Sequence, residues 1–153
     1  MVRLEHVNLV VKDIPPTLTF LLTAFPEWRI RGEGKMTWGS GEHASSRHWL
    51  HIGDDDYYLT LNGGAVGEIR DAKGIEPGVA HIGFVVDDLQ AVIDRLSAKG
   101  FSLDIKGRLH PFRQTVYYMD PAGLQFEFLQ YASDKPDEKN MYGGESGELQ
   151  KRS

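Results

Sequence analysis

Two stretches of this 153-residue chain repeat each other. Glu5-His6-Val7-Asn8-Leu9-Val10-Val11-Lys12-Asp13 aligns without a gap with Ala80-His81-Ile82-Gly83-Phe84-Val85-Val86-Asp87-Asp88, and Trp49 to Asn62 lines up with Val116 to Leu129. Identity is low, but turns and apolar positions coincide. A unit of about half the chain that occurs only twice points to duplication and fusion around a pseudo-two-fold axis, not to a solenoid of many units. Superposing the halves puts His6, His81 and Glu127 at corresponding inner positions.

Composition narrows what this duplicated chain can do. Its length suits one compact domain, or two half-size modules sharing a core. With 41% apolar residues, seven Phe, six Tyr and three Trp it can bury a sizeable core. The net charge of -5 and the scattered Lys and Arg leave no basic stripe for a phosphate backbone, so nucleic acid is not an expected partner. Cysteine is absent, which excludes thiolate metal sites and thiol nucleophiles and leaves nitrogen and oxygen to hold any metal. No apolar run reaches the roughly 20 residues of a membrane span, and the first residues do not read as a signal peptide. The expectation is a cytoplasmic protein with no membrane partner.

The pattern of each half reads strand, helix, strand, strand, strand. Leu4 to Val11 alternates, with His6 and Asn8 facing one way, and Asp13 precedes a short helix with Leu18, Leu21, Leu22 and Phe25 at helical spacing. Trp28 to Trp38 looks like a strand followed by a Gly-rich turn, Gly39 to Arg47 like a polar loop, and His48 to Ile52 with Tyr57 to Asn62 like a hairpin around Gly53-Asp54-Asp55-Asp56. The series restarts after a glycine-rich stretch. His81 to Val86 is the next strand, Asp87 or Asp88 caps a helix, Phe101 to Ile105 is a strand, and Thr115 to Met119 pairs with Leu124 to Tyr131 around Asp120-Pro121-Ala122-Gly123. The fold class expected is α+β, two tandem βαβββ modules forming a curved mixed sheet around a cavity. The boundaries are 1–62 for the first module, 63–78 for the linker, 79–132 for the second module and 133–153 for a flexible polar tail in which Met141, Tyr142 and Leu149 could dock.

Glu127 stands between Phe126 and Phe128, so if the phenylalanines face the core the carboxylate faces the other side and needs a partner. For an isolated Glu that partner is an ordinary ion pair or solvent. The repeat shifts the weighting, because a sheet closing around the axis brings His6 and His81 beside Glu127. Two histidines and one carboxylate form the facial set that binds iron, manganese, nickel or zinc with open positions for water or substrate. His43, His48 and His51 cluster without a defensible metal spacing, although His48 or His51 could line the cavity, and His110 reads as a loop residue near Arg108 and Arg113.

The module order, the His opening each module, and Asp120-Pro121-Ala122-Gly123 followed by Phe126-Glu127-Phe128 resemble the vicinal oxygen chelate superfamily of glyoxalase I, fosfomycin-resistance enzymes, extradiol dioxygenases and bleomycin-resistance proteins. The resemblance covers about Val2 to Tyr131. It implies metal ligands on the first and last strands of each module, which map to His6, Thr60, His81 and Glu127. Thr60 departs from the carboxylate of glyoxalase I, whereas the His, His, Glu set matches the fosfomycin-resistance and dioxygenase members. Those members also have a tyrosine ten residues before the Glu, here Tyr117, which faces the substrate.

The resemblance therefore implies a divalent-metal-dependent enzyme of lyase, dioxygenase or transferase type, acting on a small molecule that chelates the ion through vicinal oxygens. His6, His81 and Glu127 are its expected ligands, Tyr117, Arg113 and His51 its catalytic candidates, and Asn8, Trp49, Thr60 and Thr115 its substrate contacts. A homodimer is also implied. The alternative is a metal-free, bleomycin-resistance-like protein that sequesters an aromatic ligand between Trp49, Tyr58 and Tyr117.

Overall fold

A computed structural model describes residues 1–142, and Leu149 and the rest of the expected tail beyond Tyr142 lie outside the described residues. The chain divides into two compact units, one of Met1–Ile69 and one beginning at Arg70.

The first unit contains strand β1 (His6–Val10), helix α1 (Ile14–Ala24), and strands β2 (Arg29–Trp38), β3 (Ser45–Gly53) and β4 (Tyr58–Asn62), in sheet order β1-β4-β3-β2. Strand β1 lies parallel to β4, and the remaining pairs are antiparallel. Pro15 and Pro16 open α1, where the first helical N–H groups have no partner to lose. Its buried stripe of Thr17, Phe20, Leu21 and Ala24 and the sheet residues Leu9, Leu50, Ile52, Leu59 and Leu61 form the core. Because side chains alternate along a strand, the same pattern turns His6, Asn8, Tyr58 and Thr60 to the opposite face.

Strand β2 runs through Gly32 and Gly34, where a Gly-rich turn was expected. A register shift between Ile30 and Gly32 absorbs one irregularity, and the Trp49 indole packs against Gly34, where an added Cβ would stand 3.2 Å from the ring. Gly34 is therefore a packing glycine inside a strand. The polar stretch expected to be a loop holds a 3-10 turn at Gly41–His43 and the start of β3.

The second unit repeats the plan with β5 (Ile82–Val85), α2 (Leu89–Ala98), β6 (Ile105–Lys106), β7 (Arg113–Met119) and β8 (Gln125–Tyr131), in sheet order β5-β8-β7-β6. Asp88, not Asp87, caps α2, its carboxylate accepting from the Ala91 N–H at 2.9 Å. Phe126, Phe128, Tyr118 and Val116 are buried, so Glu127 and Tyr117 point the other way. Strand β6 has two residues and shares only Ile105 with the expected Phe101 to Ile105, with single bonds from Asp104 and Gly107 to β7 flanking it before the chain leaves the ladder. A helical turn, α3 (Pro136–Lys139), follows β8. Both units are thus four-stranded mixed sheets with a βαβββ order, the α+β class expected.

The pairing also corrects the alignment of the two hairpins. Thr60 lies opposite His51, nine positions earlier, whereas Glu127 lies opposite Tyr117, ten positions earlier. The second turn is one residue longer. Ungapped alignment matches His51 with the buried Tyr118, and the true counterpart on the open face is Tyr117, since a one-residue slip reverses every side chain.

Candidate functional site

In the second unit the open face of β8 and its neighbours gathers the chemistry. Glu127 pairs in register with Gly83 on β5 and Tyr117 on β7. The His81 ring, one residue before β5, places Nε2 3.1 Å from Glu127 Oε2. Gly83 makes room for that carboxylate, since a Cβ there would stand 3.2 Å from Oε2. The Tyr117 ring meets His81 edge-on at 5.4 Å, and its hydroxyl donates to Glu127. Burial foremost, then the Glu127 charge and that hydrogen bond, push the Tyr117 pKa upward against the opposing pull of Arg113. Tyr117 is therefore a proton-bearing donor at neutral pH.

A cavity of about 500 Å³ is lined by Glu127, Tyr117, Thr115, Arg113, Lys106 and Tyr142 among others. Its far wall is the loop after β6, held close because Gly107 donates to the Thr115 carbonyl at 2.7 Å. His110 fastens the end of the described chain to this loop. Its Nδ1 accepts from the Phe112 N–H at 3.0 Å, which leaves Nε2 to donate to the Met141 carbonyl at 2.6 Å. Beside it the Tyr142 ring, half exposed, lies under the Arg113 guanidinium.

The first unit displays a different face. The His6 ring stacks on Tyr58 at 4.8 Å, Tyr58 on His51 at 4.5 Å, and His51 meets Trp49 at 5.0 Å, while Arg31 lies 4.4 Å above Tyr58. His6 Nδ1 stands 3.0 Å from Glu5 Oε2, and Asn62 donates to the Asn8 carbonyl oxygen. Thr60, 6% exposed, lies opposite Asn8 and His51, the place that Glu127 takes in the other unit. Desolvation chiefly, then the positive Arg31 and His6, lower the His51 pKa against the opposing effect of Glu5. His48 pairs with Glu33 at 2.9 Å.

The structure therefore brings together His81, Glu127 and Tyr117 in one unit, with Arg113 and Thr115 along the same cavity. In the other it gathers His6, Asn8, Trp49, His51 and Thr60. Among the described residues no cluster of three or more His, Asp or Glu side chains stands as a ready-made metal site. The His81–Glu127 pair nonetheless fits a divalent ion in kind, being an imidazole nitrogen and a carboxylate on one open face. Sequence reasoning missed Arg31, Gly83 and Lys106 as parts of these faces. Gly83 had a readable signal in occupying the repeat position of Asn8, but Arg31 acquires its place through the bulge beside it.

Fold and site together define a duplicated βαβββ protein that presents a His–Glu pair beside a cavity of substrate size. The chain belongs to the Glyoxalase/Bleomycin resistance protein/Dioxygenase superfamily, whose family model matches residues 3–128. Among solved structures it is similar to a glyoxalase family protein from Bacillus cereus (TM-score 0.69, 14% identity, covering 87% of this chain and 96% of that one). It is also similar to a glyoxylase/bleomycin resistance protein/dioxygenase domain from Frankia sp. (0.65, 19%, 86% and 98%). A third similar structure is the fosfomycin resistance protein FosX from Listeria monocytogenes (0.56, 20%, 91% and 96%). A search of curated proteins finds no significant match. At these identities the structural likeness establishes the fold.

Proposed function

We propose that the chain is a metal-dependent enzyme acting on a small molecule that offers two neighbouring oxygens, with the ion held by His6, His81 and Glu127. The observation that supports this reading is the 3.1 Å approach of His81 Nε2 to Glu127 Oε2 over the space left by Gly83. A divalent ion in such a set supplies Lewis-acid polarisation of substrate oxygens. Tyr117, holding its proton, donates a hydrogen bond to a substrate oxygen. Arg113 and Thr115 on β7 orient the substrate along the cavity, and the His51, Trp49, Asn8 and Thr60 face contacts the remainder of it. Lyase, dioxygenase and transferase chemistries all suit this arrangement.

Elemental analysis of natively purified protein, followed by equilibrium binding of Mn, Fe, Ni and Zn, tests the proposal. Stoichiometric metal that disappears in His81→Ala is expected, and unchanged metal content in that variant overturns the site. An assay panel with the metal found then separates the three chemistries. A homodimer, measured by light scattering, belongs to the same reading.

The ring series of His6, Tyr58, His51 and Trp49 favours a second reading, a metal-free protein that sequesters an aromatic ligand. Metal-free protein that binds such a ligand, with no thermal shift on adding metal, would select it.

A further inference from the structure

The cavity of the second unit is asymmetric in charge. Glu127, which lines it, is engaged by His81 and by the Tyr117 hydroxyl. Lys106 and Arg113 also line it, and among the described residues neither enters an ion pair. Arg113 instead faces the Tyr142 ring, its Cζ 5.4 Å from the centroid. A cation–π contact of this kind occupies the guanidinium face and leaves its in-plane N–H fork available to oxygen acceptors. Lys106 immediately precedes Gly107, whose N–H donates to the Thr115 carbonyl and fixes the loop against β7.

We propose that this cavity binds small organic anions, with the acidic group, a carboxylate or a phosphoryl oxyanion, held between Lys106 and Arg113 beneath Tyr142. The body of the ligand then extends toward Tyr117 and Glu127. This names the substrate class of the enzyme proposed above and rests on that reading for its catalytic meaning, while the anion site itself requires no metal. Charge-assisted hydrogen bonds from a guanidinium fork and an ammonium supply the selectivity over a neutral ligand of the same shape.

The test is an NMR titration of the full chain with benzoate, benzamide and inorganic phosphate, each in chelator-treated protein and again with Mn replaced by diamagnetic Zn. Saturable shifts of the Arg113 Nε–H and Tyr142 ring signals are expected with benzoate or phosphate in metal-free protein. Benzamide should bind at least about tenfold more weakly, about 1.4 kcal/mol. Lys106→Gln and Arg113→Gln should each weaken anion binding by about tenfold or more while leaving the amide spectrum of the fold intact. A stronger response to benzoate marks a carboxylate site and a stronger response to phosphate a phosphoryl site. Equal binding of benzoate and benzamide, or affinity unchanged in both variants, overturns the proposal. His81→Ala separates the two ideas: lost metal with retained anion binding supports both, and retained metal overturns the ligand set alone.

Discussion

Gly83 and Glu127 face each other across the parallel pairing of β5 and β8, and the missing side chain of the one is the space occupied by the carboxylate of the other, 3.2 Å from where a Cβ would be. The corresponding position in the first unit is Asn8, opposite Thr60, where no carboxylate needs the room. Gly83→Ala should therefore displace Glu127 by a few tenths of an ångström and loosen its contact with His81. The expected outcome is metal affinity reduced by roughly tenfold, as for other residues that orient ligands, with little change in melting temperature. Equilibrium metal binding measures it, and unaltered affinity would show that Glu127 has slack.

The two hairpin turns use one device. Asp54 Oδ1 accepts from the Asp56 and Tyr57 N–H groups at 2.9 and 2.8 Å, and Asp120 Oδ1 accepts from Ala122 and Leu124 at 3.0 and 2.8 Å. Asp120 is buried and Asp54 is not, so removing Asp120 strands donors that water reaches poorly. Asp120→Ala should cost about 2 kcal/mol and Asp54→Ala about 1 kcal/mol or less. Urea denaturation of the two variants gives the comparison.

The lowered pKa of His51 carries a sign that can be checked. Below the unfolded value of about 6.5 the unfolded chain takes up a proton that the folded ring resists, so this group's contribution is fully present above that pH. It falls as pH drops through 6.5 toward the lower folded pKa. An NMR titration should place the His51 midpoint below 6.5, and Arg31→Gln should move it upward by removing the second-largest cause. A midpoint indifferent to Arg31 would leave burial as the whole explanation.

What the chain reveals before folding depends on the range over which the determining forces act. Alternation along β1 and β8 is local, so the open-face placement of His6 and Glu127 was legible from sequence. Repetition exposed the βαβββ order for the same reason. The hairpin offset was hidden because one extra turn residue changes no local propensity, yet it decides whether His51 corresponds to Tyr117 or to the core residue Tyr118. Gly34 was read as a turn because its partner, the Trp49 indole, lies on another strand. Lys106 stood in an undistinguished loop, and only the Gly107 approach to β7 makes that loop a cavity wall.

That approach is a close contact of glycine with backbone. A Cβ on Gly107 would lie 2.8 Å from both the Thr115 Cβ and the Thr115 carbonyl oxygen, and the carbonyl is fixed in the β7 ladder. A side chain here must push the loop outward and stretch the 2.7 Å bond from Gly107 N–H to that carbonyl. Gly107→Ala should therefore destabilise the protein by about 1–3 kcal/mol, the usual cost of overpacking. Because Lys106 is bonded directly to the displaced Gly107, the same change should weaken benzoate binding more than it weakens metal binding at His81 and Glu127. Parallel calorimetric titrations with benzoate and Zn decide it, and an equal loss of both would mean that the substitution acts by loosening the whole unit.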